Sequence, residues 1–229
     1  MRRPPPWLIG LGITAAGLLV AGLAWSDEVS AMLPAGMWGK KPLNDKQTTW
    51  LRGLIADALG TITSAGLPAN VAFAQAAIET GWGSAGRNNP WGQRGKGDAG
   101  SQQYTTTECF SAGSCEVLHD QTFAKYSTQT AAAQGYTRFL AGKSYLPGKA
   151  FLPADPGRWL LWLWAMGYGT ANHYAGAVVD ASRKIAVTLG DASYAIEWTD
   201  AHKAIADQLS EENAGSARRA KARELLGVG

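Results

Sequence analysis

The sequence begins with a run of 19 residues, Trp7 to Trp25, that contains no charged side chain. As a helix this run would be about 28 Å long, which matches the hydrocarbon thickness of a bilayer. Tryptophan stands at both ends, where the two membrane interfaces would lie. Two arginines precede the run and an acidic pair follows it, so the positive amino-terminal end is expected to stay in the cytoplasm. Residues 1–26 are therefore predicted to send the remaining chain out of the cytoplasm.

Two interpretations of residues 1–26 stay open. The segment is either an uncleaved transmembrane anchor or a signal peptide cut after Ser26, because Ala24 and Ser26 are small residues at the spacing of a cleavage site. The apolar run is longer than in most signal peptides, which favours a membrane anchor at residues 7–25. The folded part is then expected in the periplasm or cell envelope, or with a virion if a phage encodes the chain.

The rest of the chain has the composition of a folded protein. Apolar residues make up 46% and charged residues 17% of the sequence, which excludes disorder as an overall description. A linker with scattered Gly and Pro is expected over 27–46, a folded domain over 47–190 and a polar helical extension over 191–229. Helices are predicted at Gln47–Ala65, Ala69–Gly81, Gln129–Leu140, Pro156–Met166, Asn172–Leu189 and 200–226. With a β-hairpin predicted within 101–126, the class is mainly α with one small β lobe (α+β).

Cys109 and Cys115 flank the turn of this hairpin. In an exported domain two such cysteines are expected to pair across the strands as a disulfide. A bridge that closes so short a loop would stabilise the small lobe by roughly 2 kcal/mol. The alternative is a pair of free thiols.

The predicted helix Ala69–Gly81 carries a single acidic residue in a largely apolar sequence. In the stretch AFAQAAIETGWG, Gln75 and Glu79 lie four residues apart on one face, and Glu79 is the only acid of the helix. An acid beside apolar groups has its charged form destabilised and its pKa raised, as a general acid that protonates a glycosidic oxygen requires. Gly81 and Gly83 follow at once, so Glu79 is expected in the last turn. Taken alone, this pattern still favours an ordinary solvent-facing glutamate over a catalytic one.

Four motifs in order resemble the glucosaminidase family of peptidoglycan hydrolases, which includes the flagellar muralytic domain and many autolysins. They are AQAAIETGWG, NNPWGQRG, DQTFAKYST and GYGTANHYAGAVVDASRKI, and the resemblance covers about residues 47–190. It implies a lysozyme-like helical domain with a small hairpin lobe. It also implies cleavage of the β-1,4 bond on the reducing side of N-acetylglucosamine, so the expected partner is the glycan strand of peptidoglycan.

The resemblance assigns three catalytic positions. Glu79 would be the proton donor, Glu108 in the hairpin the second carboxylate that some family members use, and Tyr168 a tyrosine that lines the cleft. For Glu108 the alternative is an exposed hairpin carboxylate, since family members can also use the acetamido group of the substrate as the nucleophile. The chain departs from the family pattern after Thr170, where Ala171 replaces the usual aspartate.

Several polar and aromatic residues are candidates for contact with the sugar, because the apolar face of a pyranose packs on an aromatic ring. These substrate-binding candidates are Gln75, Trp82, Asn88, Asn89, Trp91, Tyr104 and Tyr174. Core packing is the alternative for Trp82 and Tyr174. Turn formation is the alternative for Asn88 and Asn89.

No cofactor or metal is expected, and neither is a nucleic acid. His119, His173 and His202 lack the spacing of metal ligands. The G-x-G-x-x-G sequence at 95–100 precedes strand-like residues and not a helix, so it does not indicate a dinucleotide site. A net charge of +3 is too weak to indicate nucleic-acid binding.

Two other function classes stay open. The nearest enzyme alternatives are a muramidase and a lytic transglycosylase, whose lysozyme-like folds also place one glutamate at a helix end. The alternative from another class is a non-catalytic wall-binding or assembly module, in which residues 200–229 contact a partner in an envelope or virion machine. A basic surface for lipid headgroups or a partner would then comprise Arg218, Arg219, Lys221 and Arg223, although a solvated helix face is the more ordinary interpretation.

Overall fold

The computed structural model describes residues 42–85, 88–111, 114–169, 171–212 and 215–228, and the side chains of 107–115 lie outside what it describes. The predicted anchor at 7–25 and residues 27–41 of the predicted linker also lie outside the described residues. Among the helices within these ranges, none combines the length and the apolar character that crossing a bilayer requires. The transmembrane anchor therefore stays a prediction from the sequence.

The described chain is mainly helical with one antiparallel pair of strands, which confirms the predicted class. In chain order the elements are α1 (Asp45–Ser64), α2 (Ala69–Glu79), β1 (Ser101–Ser111), β2 (Ser114–Ala124), α3 (Gln129–Leu140), α4 (Pro156–Ala165), α5 (Tyr174–Leu189), α6 (Asp200–Ser210) and α7 (Ser216–Leu226). Short 3₁₀ helices, Leu146–Phe151 and Ala192–Tyr194, lie between α3 and α4 and between α5 and α6. Up to α5, the predicted helix bounds agree with these to within two residues.

Helix α1 starts at a capping box and presents one apolar face to the core. The Asn44 side chain accepts a hydrogen bond from the Gln47 amide at 3.0 Å, and the Gln47 side chain accepts one from the Asn44 amide at 3.2 Å. The buried residues recur at three- and four-residue steps and are Leu51, Leu54, Ala58 and Ile62. This helix packs on α3 and α2.

Helices α2 and α4 form the centre of the domain because both are apolar on nearly every side. In α2 all residues from Val71 to Ala77 are buried, and Gln75 is among them. In α4 the side chains of Trp159, Trp162 and Trp164 are at most 1% exposed, as expected for core residues. A helix of this kind has to be enclosed by other elements. Helix α2 packs mainly on α5, while α6 and α7 both pack on α4.

The β-hairpin is a small lobe joined to the helical body at its base. Strands β1 and β2 pair with Cys109 opposite Cys115, which is a register compatible with a disulfide across the strands. Because both side chains lie outside the described residues, the disulfide stays a prediction. At the base, the Ala124 amide donates to the carbonyl oxygen of Gln93 at 2.9 Å. This bond ties the lobe to the loop that follows α2.

The carboxyl-terminal segment differs from the prediction of one helix over 200–226. It forms two helices, α6 and α7, and Gly215 before α7 has a φ of 120°, which a helix interior does not accommodate. Arg218, predicted as part of an exposed basic surface, is only 1% exposed. That prediction is wrong for Arg218 because α7 turns this side chain onto the indole ring of Trp164 in α4.

We expect Gly83→Ala to destabilise the fold by about 3 kcal/mol. Gly83 has a φ of 80°, where an L side chain is strained, and a Cβ atom there would overlap the indole ring of Trp50. The measurement is urea unfolding of the full chain in detergent. Gly60→Ala is the control, because Gly60 lies in α1 with open space around it and should gain up to about 1 kcal/mol. Equal stability of the two variants would contradict this packing.

Candidate active site

Glu79 is the last residue of α2, and a tight turn follows it. The Thr80 hydroxyl closes this turn by accepting a hydrogen bond from the Gly83 amide at 2.9 Å. From Gly81 to Gly83 the backbone is left-handed, with a φ of 61° at Trp82. Since a non-glycine residue is strained there, the surrounding contacts must hold Trp82 in place. The helix therefore ends at once, and the Glu79 side chain, 7% exposed, lies at the boundary between core and loop.

A chain of hydrogen bonds between buried side chains ends on Glu79. The Tyr136 hydroxyl donates to Oε1 of Gln75 at 2.6 Å, and Nε2 of Gln75 donates to the Tyr174 hydroxyl at 3.2 Å. The Tyr174 hydroxyl in turn donates to Oε1 of Glu79 at 3.3 Å. Every donor in this chain is directed towards the carboxyl group. Gln75 lies one turn before Glu79, which confirms the shared helix face predicted from the sequence.

Burial keeps the tyrosines around Glu79 in the neutral form. Desolvation raises the pKa of Tyr136 and raises the pKa of Tyr168 and of Tyr174 well above the ordinary value. After desolvation, the negative charge of Glu79 is the next cause that raises the pKa of Tyr174. The Tyr174 hydroxyl therefore stays protonated and able to donate to Glu79 across the physiological pH range.

Trp91 fixes the loop after α2 against the same cluster. Its indole Nε1 donates to the carbonyl oxygen of Ala72 at 2.8 Å, and its ring stacks on Tyr136 with centroids 4.9 Å apart. The Tyr168 hydroxyl donates to the carbonyl oxygen of Trp91 at 3.3 Å. The cluster thus holds α2, the following loop and the start of α5 in one arrangement around a single buried carboxyl group.

Comparison with protein families shows which family has this sequence pattern. The family model described as mannosyl-glycoprotein endo-beta-N-acetylglucosaminidase matches residues 57–210, more than half of the chain. The chain belongs to the glucosaminidase family. Membership makes the protein a glycosidase, and the matched span includes Glu79 and all of its hydrogen-bonded chain.

Solved structures share this glucosaminidase fold at low sequence identity. The catalytic domain of the autolysin Auto from Listeria monocytogenes is 21% identical, with a TM-score of 0.53 over 72% of this chain and 94% of that one. An N-acetylmuramoyl-L-alanine amidase from Staphylococcus aureus is 17% identical, with a TM-score of 0.56 over 76% of this chain and 49% of the amidase. At these identities the likeness shows the fold alone. Comparison with curated proteins gives no match.

The glucosaminidase domain encloses four of the residues predicted to contact sugar. Gln75 and Trp91 are fully buried, while Asn89 is 4% and Tyr174 7% exposed. The Asn89 side chain donates to the carbonyl oxygen of Gln93 at 2.7 Å and accepts from the Gln93 amide at 2.9 Å. Asn89 therefore forms the turn of the loop, which was the alternative to sugar binding. These four residues support Glu79 and its loop from within the core.

Three of the candidates are accessible to a sugar. Trp82 is partly exposed, and the Lys184 ammonium lies 5.2 Å from the centroid of its ring. Tyr104 is 45% exposed on β1 and packs edge-on to Phe123 with centroids 5.7 Å apart. Asn88 is exposed in the loop between α2 and β1.

Of the two remaining predicted catalytic residues, the structure describes Tyr168 in full and Glu108 only through its backbone. Tyr168 is fully buried with its hydroxyl on the Trp91 carbonyl, so Tyr174 is the tyrosine that contacts Glu79. The backbone of Glu108 lies on β1 opposite Glu116, and its side chain is outside the described residues. The catalytic roles of both residues stay predictions.

Tyr136 is a functional candidate that the sequence did not reveal. The available signal was Gln75, because a buried amide in an apolar helix has to find hydrogen-bond partners. Nothing in the sequence says which partners these are, since Tyr136 comes from α3 and Tyr174 from α5. Only the packing of the three helices brings the two hydroxyls to the amide.

Proposed function

We propose that the protein hydrolyses the glycan strands of peptidoglycan at the β-1,4 bond on the reducing side of N-acetylglucosamine, with Glu79 as the general acid. The observation that carries this proposal is the Glu79 carboxyl group, 7% exposed at the end of α2, with the Tyr174 hydroxyl on one of its oxygens. Family membership supports the glycosidic bond as the target. The four motifs that resemble peptidoglycan hydrolases support the wall polymer as the substrate.

The proposed first step breaks the bond between the anomeric carbon and the bridging oxygen. Protonated Glu79 gives its proton to that oxygen, so the leaving sugar departs as a neutral alcohol. The hydrogen bond that Tyr174 donates to Oε1 of Glu79 favours Oε2 as the oxygen that carries the proton. The three helices that carry these hydrogen-bonded side chains keep the Glu79 carboxyl group in one position. This reduces the entropy cost of orienting the acid towards the substrate.

The proposed second step neutralises the positive charge that develops on the anomeric carbon. Either the Glu108 carboxylate or the acetamido oxygen of the substrate meets this charge, and water then attacks the same carbon. Glu79, now ionised, accepts the proton of that water and returns to its starting form. Tyr168 supports the site indirectly, because its hydroxyl holds the backbone of Trp91.

The proposed setting is the cell envelope. Residues 7–25 would tether the protein to the membrane and leave the glucosaminidase domain outside the cytoplasm, in the periplasm or on a virion. Peptidoglycan strands would then lie within reach of the tethered domain. An additional assembly partner would bind residues 200–229.

Analysis of released fragments tests the proposed bond. Purified peptidoglycan is treated with the full chain in detergent, and the soluble products are reduced with borohydride and separated. We expect reduced N-acetylglucosamine at the new ends. Reduced muramic acid would show a muramidase, 1,6-anhydro ends would show a lytic transglycosylase, and binding without release would show an assembly module. Each of these three outcomes would contradict the proposal.

A further inference from the structure

We propose that helix α7 supports the active site. Its residue Arg218 positions the turn before Tyr174, and this turn places the Tyr174 hydroxyl against Glu79. This inference rests on the proposed function and deepens it. The family match ends at residue 210, so Arg218 lies in the part of the chain that the match does not cover. Arg218 touches no reacting atom and acts as a positioning residue.

The Arg218 side chain is buried, and the acceptors of its hydrogen bonds are uncharged oxygens. Its Nε donates to the carbonyl oxygen of Leu209 at 3.1 Å, and its Nη2 donates to the carbonyl oxygen of Glu212 at 3.0 Å. Nη2 also donates to Oδ1 of Asn172 at 2.6 Å, and the group lies 4.7 Å above the ring of Trp164. A buried guanidinium is costly unless its hydrogen bonds are satisfied, so these partners define one position for the group.

Two of these contacts hold the turn between α4 and α5. Asn172 lies in this turn, and Trp164 under the guanidinium donates from its indole Nε1 to the carbonyl oxygen of Ala171 at 2.9 Å. The Tyr174 amide donates to the same carbonyl oxygen at 3.1 Å. Arg218 therefore stabilises the turn directly, through its hydrogen bond to Asn172, and indirectly, through its contact with the ring of Trp164.

Tyr174 follows this turn as the first residue of α5, and its hydroxyl is the donor to Glu79. A shift of the turn would move the start of α5 and lengthen a hydrogen bond that is already 3.3 Å long. Misplacement of a supporting group by about 1 Å can cost up to about 100-fold in rate. A continuous set of contacts thus connects Arg218 in α7 to the proposed general acid Glu79.

The test compares Arg218→Met with Arg223→Met in the full chain, using soluble peptidoglycan fragments of defined length. Arg223 is on the same helix and its guanidinium lies 6.0 Å from the ring of Trp162, but it is exposed. We expect Arg218→Met to lower kcat by roughly 10- to 100-fold with KM changed by less than about twofold. The alkaline limb of its pH–rate profile should also lie at higher pH than in the wild type, as expected for Tyr174→Phe. Arg223→Met should match the wild type.

Asn172→Ala tests the direct contact. It should reproduce the effect of Arg218→Met, and the double variant should be little worse than either single variant, because both remove the same interaction. A lower melting temperature with unchanged kcat and pH profile in Arg218→Met would overturn the inference. An equal loss of kcat in Arg223→Met would overturn it as well.

A spectroscopic readout separates this inference from the proposed function. In protein labelled with ¹³C-tyrosine, the Cζ resonance of Tyr174 is assigned by its disappearance in Tyr174→Phe. If the wild type releases no fragments, the proposed function fails, yet Arg218→Met and Asn172→Ala should still shift this resonance while Arg223→Met leaves it in place. An unshifted Tyr174 resonance in the first two variants would overturn the positioning role whatever the activity.

Discussion

Glu79→Gln is expected to lower the rate of glycan cleavage by roughly 1000-fold or more, with binding of the glycan and stability close to those of the wild type. Glutamine has nearly the same shape as glutamic acid and still accepts the hydrogen bond from Tyr174. It has no acidic proton to give, so the sugar would have to leave as an alkoxide. The measurement is the initial rate of fragment release from purified peptidoglycan.

Glu116→Gln is the matched control for this variant. Glu116 is an exposed carboxylate on β2 and lies opposite Glu108 in the hairpin register. Its replacement removes one negative charge without touching the buried cluster, and we expect a rate within about twofold of the wild type. Equal losses in Glu79→Gln and Glu116→Gln would mean that charge on the protein and not a specific acid governs the rate. Wild-type activity in Glu79→Gln would remove Glu79 from the mechanism.

Tyr174→Phe is expected to lower kcat by roughly tenfold and to move the alkaline limb of the pH–rate profile upwards by about one unit. The Tyr174 hydroxyl donates to a carboxyl oxygen, and such a bond is stronger when the carboxyl group is ionised. Removing the donor therefore makes ionisation of Glu79 less favourable. Because the acid has to be protonated to work, activity should persist to higher pH even though its maximum is lower.

Tyr168→Phe is the control for the pH shift. It also removes a buried hydroxyl, but that hydroxyl donates to the backbone of Trp91. Both variants should lose about 1–2 kcal/mol of stability, because each leaves a buried group without its partner. Only Tyr174→Phe should move the alkaline limb. A downward shift in Tyr174→Phe, or the same upward shift in Tyr168→Phe, would contradict the hydrogen-bonded chain described above.

The helices of the body could be predicted because their signals are local. Helix α2 is an apolar run bounded by Pro68 and by the glycines after Glu79, and both signals lie within the run itself. The break between α6 and α7 could not be predicted in this way. A single glycine, Gly215, is tolerated inside a polar helix, so the sequence pattern does not distinguish one long helix from two short ones.

Residue spacing alone could predict only the central pair of the site. Gln75 and Glu79 share a helix face by spacing alone, and the structure keeps them together. The partners of Gln75 come from other helices, so they depend on tertiary packing that no local pattern encodes. The burial of Arg218 has the same origin, since a long polar side chain goes inward only when a partner such as Trp164 is placed to receive it.

General acid catalysis by Glu79 is tested most directly by changing the leaving group. Two N-acetylglucosamine oligosaccharides are compared, one with a sugar and one with 2,4-dinitrophenolate at the bond to be cleaved. Dinitrophenolate leaves without a proton, so the acid is needed only for the sugar. We expect Glu79→Gln to lose roughly 1000-fold on the sugar substrate and less than about tenfold on the dinitrophenyl substrate. Equal losses on the two substrates would show that Glu79 does not donate the proton.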